Sequence, residues 1–248
     1  MNAAAGHNAW LTAPDPLLIG HRGASAQAPE NTLAAFALAG QQGAHGVELD
    51  LRLAADGVPV VIHDATVDRT TNGSGAVADL TAAQLQRLNA GAGQPVPTLD
   101  DLFAAFGSTY LYNLELKGRA WQAGRLLSAV AESVHRHALA RRVLVSSFSP
   151  WIMWRSRRYF PPQVALALLV AADPLSQQTR RLFHGAAEHP QAALVDQAYM
   201  DRARARGLRV HVWTVNDPSL ARTLLDLGVH ALISDDPQRL RPLLNELS

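Results

Sequence analysis

Four short apolar runs in this chain end in side chains that can move protons, hold a cation or grip an anion. Leu17–Gly20 leads into His21-Arg22-Gly23, and Val47 into Glu48-Leu49-Asp50. Val58–Ile62 leads into His63-Asp64, and Tyr110–Leu114 into Glu115-Leu116-Lys117. Glu48 and Asp50 are two apart in a strand-like run, so their side chains share a face. Two carboxylates facing a core do not stay charged without a partner. One divalent cation would supply it, and Glu115 offers a third oxygen ligand from a neighbouring run; Mg²⁺ and Ca²⁺ both favour such ligands. Histidine can move protons near neutral pH, which makes His21 and His63 candidates for acid–base work. On opposite sides of a bound phosphodiester such a pair acts as base and acid; alternatively both are hydrogen-bonded core histidines. Arg22 presents a guanidinium fork suited to a phosphate oxygen. Lys117 shares a strand face with Glu115 and can balance the carboxylates, bind phosphate or both. For either cation a plain salt bridge is the simpler alternative.

Other residues have two readings each. Asn31 is a helix cap or a group reaching the site from the loop after the first strand. Trp213, in Val212-Trp213-Thr214-Val215-Asn216, walls a pocket or fills the core. Trp151, Trp154 and Tyr159 form an aromatic stripe for which core packing is expected, with contact to an apolar leaving group as the sharper alternative. Gly73-Ser74-Gly75 lacks the GxxxxGK[ST] order of a phosphate-binding loop. Ser147-Phe148 lacks the G-x-S-x-G elbow of serine hydrolases.

The elements that must position these groups alternate strand and helix. Strands are expected at Leu17–His21, Val47–Leu53, Val58–His63, Leu111–Leu116, Arg142–Ser146, Val164–Val170, Ala192–Val195, Val210–Val215 and Ala231–Ile233. Helical spacing and caps mark Thr32–Gln42, Leu80–Leu88 with Thr81 as cap, Thr98–Phe106, Ala120–His137, Trp151–Tyr159, Asp173–Phe183, Met200–Arg206, Leu220–Leu227 and Arg239–Leu247. The short Asp56-Gly57 connection suggests an antiparallel hairpin. Clustering of the chemistry favours instead a shortened crossover that keeps both strands parallel. Nine strand candidates thus compete for eight barrel positions, and the rhythm argues for a closed or wound parallel sheet with helices outside. In such α/β proteins, sites form at the carboxyl edge of the strands. Residues 1–15 read as a loose N-terminal arm and residues 16–248 as one domain.

Composition narrows the classes. The 248 residues suit one α/β barrel. A net charge of +1 offers no field for nucleic acid or an anionic membrane. With no cysteine there is neither disulfide nor thiolate chemistry. No apolar run approaches a membrane span and no signal-peptide pattern opens the chain, so a cytoplasmic location is expected.

These motifs resemble the glycerophosphodiester phosphodiesterase family. The resemblance is carried by Gly20-His21-Arg22-Gly23, Pro29-Glu30-Asn31-Thr32, Val47-Glu48-Leu49-Asp50, Asp56 through Asp64, Arg69-Thr70-Thr71-Asn72-Gly73, Glu115-Leu116-Lys117 and Val212 through Asn216. The Gly228–Pro237 stretch resembles the family's last-strand motif. The chain departs from the family pattern at Arg52, where a small apolar residue is common, and at Ala54, Val67, His230 and Ala231.

The resemblance implies a single-domain α/β fold, a TIM-type (β/α)8 barrel of the PLC-like phosphodiesterase kind. It implies hydrolysis of a small-molecule glycerophosphodiester to sn-glycerol 3-phosphate and an alcohol. Glu48, Asp50 and Glu115 would hold one Mg²⁺ or Ca²⁺, His21 and His63 would be the acid–base pair, and Arg22 and Lys117 would contact phosphate. Asn31 and Trp213 would complete the pocket. A lysophospholipase D or related lipid phosphodiesterase, and a noncatalytic glycerophosphodiester-binding protein, are the alternatives. Oligomeric state is not readable.

Overall fold

The computed structural model describes residues 8–14, 16–118, 123–173, 176, 178, 180 and 183–246. Nine strands form one sheet: β1 (Leu17–His21), β2 (Gly46–Leu53), β3 (Pro59–Val61), β4 (Leu111–Leu116), β5 (Val143–Ser147), β6 (Ala165–Val170), β7 (Ala187–Pro190), β8 (Arg209–Val212) and β9 (Ala231–Ser234). Eight pair in parallel in the order β1-β9-β8-β7-β6-β5-β4-β2, and β1 pairs with β2 to close the ring. The fold is the expected single-domain (β/α)8 barrel.

β3 is the exception. It runs antiparallel to β2, with Leu51 opposite Val61 and Leu53 opposite Pro59. The parallel arrangement favoured by the clustering argument is therefore corrected. A parallel return needs a crossover of a dozen or more residues, whereas the chain reverses over Ala54–Val58. Gly57 takes φ +84° in that reversal, a left-handed conformation that glycine adopts without a Cβ clash. Having turned back, β3 brings His63 level with the upper part of β2, and Ile62 N donates to Asp50 O at 2.9 Å.

The helices lie between the strands along the chain: α1 (Ala9–Thr12), α2 (Leu33–Gln41), α3 (Ala82–Leu85), α4 (Leu99–Phe106), α5 (Ala123–Arg136), α6 (Pro150–Ser156), α7 (Gln197–Ala205), α8 (Pro218–Asp226) and α9 (Pro237–Asn245). Caps explain several starts. Thr32 accepts from Ala35 N, and Thr81 and Thr98 each form a capping box. Apolar side chains on the outer strand faces pack against this helical layer, as Leu49, Leu51, Leu114 and Val145 do with Leu102, Leu127 and Val130.

The opening stretch differs from the loose arm expected of it where it is described. Asn8 and Trp10 are buried. Asn8 donates to the carbonyls of Val143 and Gln163, and Trp10 Nε1 donates to Arg142 O at 3.0 Å. Trp10 packs with Leu17, Ile19, Leu144 and Ala231, so α1 plugs the amino end of the barrel. A tryptophan that would be costly to expose ties the segment down.

Ala192–Leu194, expected as strand, is a 3₁₀ turn; the seventh barrel strand is β7, just before it. Its sequence, Ala-Glu-His-Pro, carries no apolar signature. Glu188 instead pairs outward with Arg206 at 2.7 Å and Tyr199 Oη at 2.7 Å. The helix expected over Asp173–Phe183 lies largely outside the described residues, as does Ala120–Gln122 of the helix expected from Ala120. None of the described helices is long and apolar enough to cross a membrane.

Candidate active site

Parallel register delivers the acidic groups together. Asp50 pairs with Glu115 across β2–β4, and His21 with Glu48 across β1–β2. One carboxylate oxygen from each of Glu48, Asp50 and Glu115 lies within 4.8 Å of the others, and all three residues are buried. The two predicted cations enter the same cluster. Lys117 Nζ is 3.0 Å from Asp50 Oδ1 and 2.5 Å from Glu115 Oε1. Arg22 Nε is 3.2 Å from Asp50 Oδ2, and its backbone N donates to Glu48 Oε2 at 3.1 Å. Of the two readings of Asn31 the cap is corrected, since the helix cap is Thr32, while Asn31 reaches in from the loop and its Nδ2 donates to Asp50 Oδ2 at 2.8 Å.

The loop that achieves this is conformationally demanding. Arg22 and Asn31 hold φ of 55° and 59°, uncommon for residues with a Cβ. Gly23, at φ +87°, lies where a Cβ would meet the Ala35 backbone at 2.5 Å. Strain of this kind persists where the surroundings fix it, here by the bonds to Glu48 and Asp50.

The electrostatics ask for a further positive charge. Two cations face three carboxylates. Burial, then repulsion from Asp50 and Glu115, pushes Glu48 well above the usual carboxyl range. Burial and Asp50 likewise push Glu115 up to about 7, against the pull of Lys117. Burial would also raise Asp50, but Lys117, Arg22 and the Asn31 hydrogen bond outweigh it and hold it low. Asp50 Oδ1 is buried without an aligned hydrogen bond, although Lys117 is at ion-pair distance. Hard oxygen donors, excess negative charge and an unsatisfied oxygen fit a divalent cation, so the triad can coordinate one.

Each histidine carries a carboxylate of its own. His21 Nδ1 donates to Asp235 Oδ1 at 2.6 Å, leaving Nε2 facing the cluster, 3.9 Å from Glu48 Oε2. Asp235 also accepts from Ser25 Oγ at 3.0 Å and Asn216 Nδ2 at 2.6 Å. Burial acts to raise its carboxyl, but these bonds bring it down to about 2. His63 Nδ1 donates to Asp64 Oδ1 at 2.6 Å, and Arg69 Nε holds the other oxygen of Asp64 at 2.5 Å. Arg69 continues to Glu30, which pairs with Arg22 at 2.9 Å. Burial lowers the His63 pKa and outweighs the bond to Asp64. Carboxylates so placed fix which ring nitrogen carries the proton.

Trp213 reaches the rim: its Nε1 donates to His189 O at 2.7 Å and its ring meets Phe148 edge-on at 5.6 Å. Lys117 Nζ sits 5.9 Å from the Phe148 ring centre. The core packing expected of Trp151 and Trp154 is corrected. They stack on each other at 4.9 Å but remain 56% and 54% exposed. Facing solvent from the first turns of α6, they leave Ile152 and Met153 to fill the core. Reasoning from sequence missed Asp235, Asn216, Ser25 and Glu30. For Glu30, Asn216 and Asp235 the available signal was membership in motifs already quoted, such as Pro29-Glu30-Asn31-Thr32; Ser25 lies in none of them.

Known proteins give this arrangement its class: barrel-type phosphodiesterases. A solved Oleispira antarctica phosphodiesterase, in complex with the product sn-glycerol-3-phosphate, matches with a TM-score of 0.83 at 33% identity, covering 93% of this chain and 97% of that one. A glycerophosphodiester phosphodiesterase from Agrobacterium tumefaciens gives 0.80 at 28% identity over 93% and 99%. In sequence, a glycerophosphodiester phosphodiesterase of Caldanaerobacter subterraneus is 33% identical over 90% of this chain and 96% of its own. The chain belongs to the glycerophosphoryl diester phosphodiesterase family, whose model matches residues 21–239, and is a phosphoric diester hydrolase.

Proposed function

We propose that this enzyme hydrolyses glycerophosphodiesters to sn-glycerol 3-phosphate and an alcohol, using His21 and His63 as an acid–base pair beside a divalent cation. The observation that carries this reading is the convergence of both histidines, Arg22 and Lys117 on the one buried acidic triad. Similarity to the Oleispira antarctica protein that binds sn-glycerol-3-phosphate supports the product.

Glu48, Asp50 and Glu115 would hold the cation, Mg²⁺ or Ca²⁺. When bound, it would neutralise the triad and stabilise negative charge developing on the phosphoryl oxygens. Arg22 and Lys117 grip the phosphate and oppose the same charge. His21, with its Nδ1 proton committed to Asp235, takes a proton at Nε2 from the free hydroxyl of the glycerol moiety. That oxygen attacks phosphorus. Protonated His63 gives its proton to the departing alcohol oxygen, and a cyclic glycerol phosphate remains. Water then opens the ring: His63, now neutral, takes the water proton, and His21 returns its proton to the glycerol oxygen. The burial that lowers the His63 pKa makes it the readier proton donor. Asn31 orients Asp50, and Trp213 walls the pocket.

The exposed aromatics Phe148, Trp151 and Trp154 favour a second reading, in which the glycerol carries an acyl chain and the enzyme is a lysophospholipase D. One experiment separates the two: purified enzyme with saturating Mg²⁺ or Ca²⁺, with chelation as control, offered glycerophosphocholine or its acylated counterpart. Metal-dependent release of glycerol 3-phosphate from the first is expected. Turnover confined to the acylated ester would replace the first reading with the second. A substrate lacking the attacking hydroxyl should be inert; undiminished turnover would rule out the cyclic route.

A further inference from the structure

The acidic triad is flanked by two cavities of different character. On the His21 side lies one of about 440 Å³, with Ser25, Asn216, Asp235 and Arg239 in its walls. This polar space, bearing hydrogen-bonding groups of both kinds, suits a hydroxylated moiety. On the Lys117 side lies a larger cleft of about 800 Å³. Its walls include Ala54 and Val77, and its charged lining consists of Arg52, Lys117, Arg125 and Arg155, with no acidic residue among the described lining.

This cationic cleft stands on the His63 side of the site. Arg52 Nε donates to His63 O at 2.8 Å while the residue lines the cleft, and Lys117 borders both the cleft and the triad. If His63 protonates the leaving alcohol, that alcohol departs toward the cleft. Lys117 is already committed to Asp50 and Glu115. Arg52 and Arg125 form no ion pair with the described residues. Arg52 is half-buried and turns toward the cleft, where a guanidinium can meet an anion directly.

We propose that the cleft is a leaving-group subsite for alcohols carrying an anionic group, with Arg52 and Arg125 as its specificity-determining residues. The proposal rests on the phosphodiester reading above and narrows its substrate class. It predicts discrimination against alcohols whose only charge is cationic, because they would meet Arg52 and Arg125 with no acid in the described lining.

Two esters isolate the effect: glycerophosphoserine and glycerophosphoethanolamine differ by one carboxylate. With full-length enzyme and saturating metal, kcat/KM for the serine ester should exceed that for the ethanolamine ester by about tenfold, the worth of one charge-assisted hydrogen bond. Arg52→Gln and Arg125→Gln should each bring the ratio toward one, and Arg125→Gln, which makes no contact with His63, should leave kcat for the ethanolamine ester unchanged. Arg125, exposed on α5, keeps the test usable should Arg52→Gln misfold. A wild-type ratio of one or below, or a ratio that neither variant moves, would overturn the subsite while leaving the phosphodiester reading standing. If neither ester is cleaved, the phosphodiester reading fails, and calorimetry with O-phosphoserine on the metal-free protein decides the subsite. Weaker binding to the Arg125→Gln protein supports it; equal binding overturns it.

Discussion

Two buried polar layers lie one above the other inside this barrel, and they solve the same problem differently. The upper is the acidic triad with Arg22 and Lys117. The lower comprises Asn113, Ser146, His189 and His211, all buried. Asn113 stands two residues before Glu115 on β4 and so faces the same interior. Ser146 Oγ donates to Asn113 Oδ1 at 2.8 Å; Asn113 Nδ2 lies 3.4 Å from His189 Nδ1; His189 Nε2 lies 3.0 Å from His211 Nδ1. Asn113 and His189 sit on non-adjacent strands, so this chain of bonds crosses the lumen. Burial holds His189 neutral down to about 3 and lowers His211 further than an exposed imidazole. The lower layer is thus polar but uncharged, a run of bonds that ends at His211, whose Nε2 is buried without a hydrogen bond. The upper layer keeps its charges and compresses them, leaving an excess of negative charge that a divalent cation can neutralise. Polarity in a barrel core marks function only where neutrality has not been reached internally.

That contrast can be tested from its strongest consequence downward. Asp50→Asn should reduce kcat/KM by at least about 10³-fold and abolish calorimetric metal binding; wild-type metal affinity in that variant would remove the upper layer's claim to the ion. His63→Ala should lower kcat by about 10²–10⁴-fold while metal affinity stays near wild type. Near-normal turnover would end its role as acid. Asp235→Asn, which keeps the shape but loses the carboxylate holding His21, should cost about 10–100-fold in kcat with KM little changed. Recovery in Asp235→Glu would identify the charge as the cause; a purely structural loss would instead appear as a lowered Tm in both variants.

The lower layer should behave in reverse. His189→Ala opens a cavity and strands Asn113 and His211, costing about 2–4 kcal/mol of stability in denaturant unfolding. The folded fraction should keep kcat of the wild-type order; loss of activity without loss of stability would erase the distinction. The smallest effects are those of pH. Glu115, raised to about 7, must shed its proton to ligate, so metal affinity should weaken by up to about tenfold per pH unit below 7. His189 and His211 work on stability. Their folded pKa values lie below the unfolded 6.5, so the unfolded chain binds more protons in between. Their contribution is complete above pH 6.5 and is lost as pH falls toward about 3. Thermal melts across that range, compared between wild type and His211→Gln, would show whether the lower layer sets the acid limit.

Much of the upper layer was legible in the sequence because its geometry is local or strand-encoded. Glu48-x-Asp50 fixes two carboxylates on one face by strand periodicity alone, and Glu115 ends an apolar run of the kind that lies beside it. The partners of the histidines divide on the same principle. Asp64 adjoins His63, whereas Asp235 is 214 residues from His21 and meets it only because β9, the last strand, pairs with β1, the first. The lower layer was hidden for a related reason. His189 sits in a four-residue strand whose neighbours are Glu188 and Pro190, and no periodicity survives at that length. The direction of β3 was misjudged when proximity of function was weighed above loop length; an antiparallel return satisfies both. Trp10 shows the converse error, since a single buried ring outweighed the polar, proline-containing stretch around it.

The hairpin return has one more implication. Val60 bridges Thr98, and Val61 N donates to Pro97 O at 2.9 Å, so residues 62–97 leave and rejoin the molecule at almost the same spot. That span lies outside the closed ring yet contributes Ala65 and Ala76–Ala78 to the cationic cleft. Past His63, Asp64 and Arg69 it is therefore a module whose length and lining can be rewritten by evolution or by an engineer without disturbing barrel closure, a route to a differently lined cleft beside an unaltered acidic triad.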